Sequence, residues 1–327
     1  MKKSLMTLGV LALFVLMAYG QEKKFALYSV AFYNMENLFD TIHDEGKNDY
    51  EYLPNGTNQW NTMKYKAKLK NMSEILSMLS TDKLPMGPAI IGVSEIENYR
   101  VLEDILKQPA LADRGYQYVH YEGADQRGVD CAFFYNPKLF ELTNSKLVPY
   151  VYINDTVHKT RGFLIASGNI AGEKMHFIVN HWPSRAAASP ARERAGEQVR
   201  AIKDSLLRED SAAKIVIMGD MNDDPMDKSM AVALGAKRKP ADVGPTDLYN
   251  PWWDTLKKGY GTLMYKGKWN LFDQIVFTGN LLGTDRSTLK FYKHEIFRRD
   301  FMFQKEGKYK GYPKRTQAHT LQTTGHH

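Results

Sequence analysis

Cysteine is nearly absent from this 327-residue chain, where Cys131 stands alone. One thiol forms neither an internal disulfide nor a thiolate metal cluster, so Cys131 reads as a small buried hydrophobe on a strand. Linkers are missing too: no Ser/Gly/Pro-rich stretch, internal repeat or low-complexity tract divides the chain. Long apolar runs are missing beyond the first twenty residues. There, Lys2 and Lys3 precede the run Leu5 to Ala18, which closes on Ala18-Tyr19-Gly20. That pattern predicts a secretory signal peptide over 1–20, too short and wrongly flanked for a stable membrane span. A secreted or periplasmic location follows, with no integral span once the signal is removed. The rest, 21–327, reads as one domain of ordinary globular composition, 43% hydrophobic and 25% charged.

Acidic residues are scarce late in the sequence. Between Arg286 and Arg315, ten Lys/Arg residues stand against Glu295, Asp300 and Glu306, with aromatics such as Phe297, Phe303 and Tyr312 interleaved. Such a stretch fits an anionic partner, nucleic acid or phospholipid, or else a solvated basic surface.

Periodicity supplies the elements. Strands are predicted from Phe25 to Tyr33, Ala89 to Val93, Cys131 to Tyr135, Met175 to Val179, Ile215 into Asp220, and Leu271 to Phe277. Helices are predicted from Lys64 to Ser80, with Tyr65, Leu69, Met72, Leu76 and Leu79 on one face, from Val101 to Lys107, and from Ser189-Pro190 onward. A short helix is expected near Met226 to Leu234, and irregular chain from Lys237 to Gly261. Strands alternate with helices early and dominate later, which predicts an α/β fold of two mixed sheets packed together with helices outside.

The richest segment is Ile215-Val216-Ile217-Met218-Gly219-Asp220-Met221-Asn222-Asp223-Asp224-Pro225. An apolar strand ends there in a glycine turn that presents a carboxylate, an amide and two more carboxylates. A carboxylate handles a proton or a hard metal, and an amide donates to a phosphoryl oxygen, so the pattern suits phosphate-ester hydrolysis. Asn34, Glu95 and His181 sit at or next to other strand ends, and Asp273 sits near the start of a late one. Taken singly, Asn34 reads equally as a turn cap, Glu95 as a surface carboxylate, His181 as a structural histidine and Arg127 as a solvated turn residue. Asp273 among strand apolars needs a partner.

Together, Asn34 in "YNMENLFD", Glu95 in "IIGVSEIEN", His181 in "VNHWPSR", then "GDMNDDP" and "FDQIVF" resemble the endonuclease/exonuclease/phosphatase superfamily, most of all its secreted bacterial nuclease-like members. The resemblance spans about residues 25 to 280 with motif order preserved. It implies a deoxyribonuclease-like two-sheet sandwich flanked by helices, in four layers, with the site between the sheets at one edge. It makes Glu95 the principal ligand of Mg²⁺, or of Mn²⁺ or Ca²⁺, with Asn34 beside the same ion. Asp220 then orients or deprotonates the attacking water, Asn222 and His181 donate to phosphoryl oxygens, Asp273 orients a histidine, and Arg127 and Arg185 bind substrate. The implied activity is metal-dependent phosphodiester hydrolysis, foremost of nucleic acid. A phosphomonoester or sphingomyelin-type substrate, or a non-catalytic binder of polyanions, are the alternatives.

One element departs from the pattern. The family closes with Ser-Asp-His on its last strand, whereas residues 316–327 here read "TQAHTLQTTGHH". Impaired activity is therefore expected, unless His319, His326 or His327 partners Asp273.

Overall fold

The computed structural model describes residues 25–153 and 157–316. The expected signal peptide and the three late histidines lie outside them. Two large sheets carry the architecture. The first contains β1 (Val30–Leu38), β2 (Ile90–Ile96), β3 (Gln117–His120) and β4 (Asp130–Tyr135), in the order β1-β2-β4-β3. The second contains β5 (Glu141–Val148), β6 (Phe163–Ile170), β7 (Glu173–His181), β8 (Lys214–Asp220), β9 (Ala236–Lys237), β10 (Leu248–Tyr249) and β13 (Asp273–Thr278), in the order β5-β6-β7-β8-β13-β10-β9. A small hairpin, β11 (Leu263–Tyr265) with β12 (Lys268–Asn270), stands apart.

Alternation along the strands separates three apolar layers. In β8, Val216 and Met218 face the space between the sheets, while Ile215 and Ile217 face outward. In β2, Ile90 faces inward, and Ile91 and Val93 face outward. The period of two explains why both faces of these strands are apolar: each is covered. The outward face of the first sheet lies under α1 (Thr62–Met78) and α2 (Tyr99–Leu106), and that of the second under α3 (Ser189–Glu209). The expected four-layer sandwich is the observed one. Gly92 lets the sheets close, since a Cβ there would lie 2.5 Å from Met218 Sδ.

Several boundaries differ from expectation. The first strand runs from Val30 to Leu38 instead of Phe25 to Tyr33, so Asn34 sits within it. Helix α1 begins at Thr62, where Asn61 Oδ1 accepts from the Lys64 N–H (3.1 Å). The helix expected near Met226 is a π-helical turn from Ser229 to Leu234. The stretch expected to be irregular, 237 to 261, holds β10 and α4 (Trp252–Lys257).

After Leu282, the described chain adds no strand to either sheet. Phe297, Met302 and Phe303 pack instead against the core beneath α1 and α2. Among the described residues, no helix is long and apolar enough to cross a membrane.

Candidate active site

Each sheet contributes a parallel pair to the site, β1 with β2 at the edge of the first and β7 with β8 in the middle of the second. Their carboxyl ends open toward the same edge, where open α/β sheets carry sites. Asn34 comes from β1, Glu95 from β2, His181 from the end of β7 and Asp220 from the end of β8.

Local backbone irregularity lets these side chains meet. The register shifts between Asn34 and Leu38 in β1, and between Ser94 and Ile96 where β2 pairs with β4. Such bulges re-aim side chains. Glu36, Asn37 and Glu95 have φ of 51°, 56° and 58°, a left-handed conformation that costs non-glycine residues roughly 1–3 kcal/mol each. The hydrogen bonds formed offset part of that strain. Asn34 Nδ2 donates to Glu95 Oε1 (3.1 Å), and the Asn37 N–H donates to Glu95 Oε2 (2.9 Å). Lys68, buried in α1, supports the turn by donating to the carbonyls of Glu36 and Asn37. Burial pushes its ammonium down to about 8, with Glu36 and Glu95 pulling the other way.

The two sheets are joined here by Asn34, whose Nδ2 also reaches Asp220 Oδ2 (3.0 Å). Asp220 Oδ1 accepts from the Asn222 N–H (2.9 Å), and Asn222 Nδ2 donates to the Trp182 carbonyl (3.0 Å). His181 Nε2 lies 3.5 Å from Glu95 Oε1. One ligand-type atom from each of Glu95, His181 and Asp220 lies within 4.8 Å of the others. Burial, reinforced by Arg161 and Arg127, drives the His181 pKa well below the usual imidazole range. The ring is therefore neutral at physiological pH.

Over this group lies a cleft of about 320 Å³ lined by Glu95, Arg127, Arg161, His181, Ser184 and Asn222. Arg161 is buried and donates to Asp125 Oδ2 (3.0 Å) and to the Trp182 carbonyl (2.8 Å). Arg127, half exposed, lies 3.5 Å from Asp125 Oδ1. One aspartate thus positions two guanidiniums. Sequence reasoning missed Arg161 and Asp125; a cation directly before the buried strand β6, in "TRGF", was the available signal. A second recess of about 350 Å³, beside Tyr150 and His158, contains none of these residues.

The remaining expected residues lie around the cleft. Asp273 pairs across β13 with Asp220, one strand farther from His181; its expected histidine partners lie outside the described residues. Arg185 does not line the cleft. It donates to the Asn222 carbonyl (3.0 Å), to Asp224 (3.3 Å) and to Asp227 (3.0 Å), and its guanidinium lies 4.4 Å from the Phe272 ring centre. Asp223 binds Arg192 (2.8 Å) and Ser229 Oγ (2.7 Å). Asp224 accepts from the Leu271 N–H (2.7 Å). Of the acidic run after Gly219, only Asp220 reaches the cleft group, and the next two carboxylates fix the loop.

Comparison with known proteins agrees with the fold. The profile of the Endonuclease/Exonuclease/phosphatase family matches residues 29–327. Among solved structures, mannosyl-6-phosphatase Bt3783 of Bacteroides thetaiotaomicron VPI-5482 is 16% identical with a TM-score of 0.52, covering 77% of this chain and 85% of that one. An endonuclease/exonuclease/phosphatase family protein of Bacteroides thetaiotaomicron is 15% identical, TM-score 0.52, covering 78% and 84%. ANGEL2, a 2′,3′-cyclic phosphatase, is 11% identical, TM-score 0.51, covering 65% and 74%. No curated protein matches the sequence significantly.

Proposed function

We propose, from the premise that this chain belongs to the endonuclease/exonuclease/phosphatase family, that its cleft hydrolyses phosphoric diesters, nucleic acid foremost, with a divalent cation of the Mg²⁺ type. The observation that carries this reading is the convergence of Glu95, His181 and Asp220 from opposing sheets within 4.8 Å, beneath two arginines. The donor set fits the ion. Carboxylate oxygens of Glu95 and Asp220, both oriented by the Asn34 amide N–H groups, suit a hard cation that retains water and substrate oxygens in its shell. Glu95 would hold it, with Asn34 beside it. When bound, the ion polarises the phosphoryl group and neutralises developing charge.

The chain's own groups do the rest. Asp220, held by the Asn222 N–H and Asn34, takes the proton of the attacking water. Neutral His181 donates from the nitrogen facing the cleft, and Asn222 donates with its second amide hydrogen, toward the phosphoryl oxygens. Arg127 and Arg161, both positioned by Asp125, meet the substrate's negative charge. Residues 316–327 lack the Ser-Asp-His ending that would partner Asp273, so impaired turnover is part of the proposal, and Arg185 acts by holding the Asn222 loop against β12. A secreted or periplasmic setting is part of the proposal, supported by the Lys2-Lys3 and Leu5 to Ala18 pattern.

A phosphomonoester is the second reading, favoured by the pairing of two arginines over one small cleft, which suits a dianion. Incubating residues 21–327 with Mg²⁺ or Mn²⁺ and a panel of DNA, RNA, sphingomyelin and sugar phosphates tests both. The first reading expects cleavage of nucleic acid that stops with chelator and with Glu95→Gln. DNA retention without metal-dependent turnover of any substrate would overturn both in favour of a polyanion binder.

A further inference from the structure

The basic segment between Arg286 and Arg315 is not uniform. Arg299 is paired with Asp82 (2.7 Å) and stacked on Phe297, Lys293 is paired with Glu295, and Arg315 binds Glu36 (2.7 Å). Arg298 differs. Its guanidinium carbon lies 4.5 Å from the ring centre of Phe303, 5.3 Å from Trp269 and 5.6 Å from Tyr260. Among the described residues, that guanidinium has no carboxylate partner and no hydrogen bond.

Three rings around one cation fix its plane while leaving its edge, with five N–H donors, open. Packing on rings also strips water from the guanidinium faces, which strengthens any bond to an anion at the edge. Beside it, the Tyr260 ring is half exposed and available to a second planar group.

Two independent sets of contacts tie the cage to residues that flank the cleft. Trp269 belongs to the β11–β12 hairpin, where Asn270 Oδ1 is 3.5 Å from Nη1 of Arg185, the residue that holds the Asn222 loop, and Thr262, just before the hairpin, accepts from the Asp273 N–H (3.3 Å). On the other side, the arm carrying Phe303 returns through the Lys314 N–H to the Met302 carbonyl (2.8 Å). It ends with Arg315 and the Thr316 N–H on Glu36, two residues from Asn34.

We propose that Arg298, with Tyr260, Trp269 and Phe303, is a specificity subsite that binds a second, unreacting phosphate of an oligonucleotide while Tyr260 stacks on the neighbouring base. This rests on the reading of the cleft as a phosphodiesterase site and narrows its substrate to a chain with phosphates on both sides of a planar ring. An open bidentate donor beside an exposed ring matches that repeat, since phosphate recognises the planar fork and every base offers a face. An uncharged sugar chain leaves the guanidinium unpaired.

The test uses a short fluorescein-labelled single-stranded oligodeoxynucleotide, bound by residues 21–327 without metal and followed by anisotropy over a salt series. Arg298→Ala should weaken binding about tenfold and reduce the salt slope by about 0.7, the value for one lost phosphate contact on a single strand. Tyr260→Ala should weaken binding about tenfold with the salt slope unchanged, as expected for loss of one stacked base. Arg298→Lys, which keeps the charge and guards against misfolding, should retain the slope with intermediate affinity. Arg286→Ala, on the same segment but exposed and uncaged, should change affinity less than twofold. Unchanged affinity in Arg298→Ala, or an equal loss in Arg286→Ala, would overturn the subsite. Turnover of bis(4-nitrophenyl) phosphate with Mg²⁺ by the unmutated protein tests the cleft separately. Arg298-dependent binding without turnover overturns the reading of the cleft alone, and turnover without Arg298-dependent binding overturns the subsite alone.

Discussion

Two groups of carboxylates lie back to back around Ser94-Glu95-Ile96-Glu97. Facing the cleft, Glu95 is held by neutral amides, Asn34 Nδ2 and the Asn37 N–H, with no Lys or Arg in hydrogen-bond contact among the described residues. Behind it lies a sealed nest of Asp40, Asp44, Asp49 and Glu97. Arg100 binds Asp40 (2.6 Å) and Asp44 (2.5 Å), Asn98 Nδ2 binds Asp44 (2.8 Å), and His43 binds Asp49 (2.5 Å). Burial, then Asp40, pushes the Glu97 carboxyl up to about 9, which leaves it protonated where Glu95 faces the open cleft. An unbroken strand would put Glu95 and Glu97 on one face; the bulge at Glu95 separates them. Acidic residues alone therefore do not define a cation site. A carboxylate whose charge the protein leaves uncompensated, facing space, is where an external cation belongs.

The largest expected effect breaks this comparison at its open side. Glu95→Gln keeps the shape and removes the charge, so turnover should fall about a thousandfold, roughly 4 kcal/mol of transition-state stabilisation. The rise in Tm on adding Mg²⁺ should vanish with it, while Glu97→Gln keeps that rise. Equal loss of the Mg²⁺ response in both variants would show that the ion is shared across the bulge. Next, His181→Ala should lower kcat about a hundredfold by deleting one donor to the phosphoryl oxygens. The Mg²⁺ response should survive in that variant, and its disappearance would move His181 from donor to ligand.

Much of this cleft was legible because chemistry-bearing residues follow apolar runs. The motifs around Asn34, Glu95, His181 and Asp220 each close a strand-like pattern, and the family resemblance ordered them. The bulge was not legible, since left-handed Glu36 and Glu95 are not types that announce positive φ, and Asn37 alone is. Arg161 was missed because the strand it precedes, β6, was itself missed: the run Phe163–Ile170 contains Ser167-Gly168-Asn169, which interrupts its apolar pattern. The edge strand β5 is half exposed along its length and shows little of the contrast that marks a buried strand. Asp223 and Asp224 follow Asp220 in one acidic run, and the sequence gives them no role of their own. Their partners, Arg192 and the Leu271 N–H, are distant along the chain, and only the fold shows them.

The sealed side yields smaller, purely structural effects. Arg100→Ala leaves buried Asp40 and partly exposed Asp44 without their cation. The arginine is itself 30% exposed, so the cost should be about 2 kcal/mol, below that of a fully buried pair. Urea unfolding reads this directly. Rate per folded molecule should be unchanged, and a matching loss of kcat would mean that the nest positions Glu95.

The smallest effect probes the joint between the two regions. Asn98 caps α2 by accepting from the N–H groups of Arg100 (2.9 Å) and Val101 (3.3 Å), while its amide donates to Asp44. Asn98→Ala should destabilise the fold by about 1 kcal/mol, the usual cost of a lost cap. Asn98→Ser restores the acceptor but not the donor to Asp44. If the cap dominates, the serine variant recovers most of the loss in urea unfolding. If it recovers none, the Asp44 bond dominates, and Asn98 belongs to the nest rather than to the helix end. Neither substitution should alter the Mg²⁺-induced rise in Tm, because Asn98 lies beyond the bulge on the sealed side. A shift there would show that the bulge does not insulate the cleft from the carboxylates behind it.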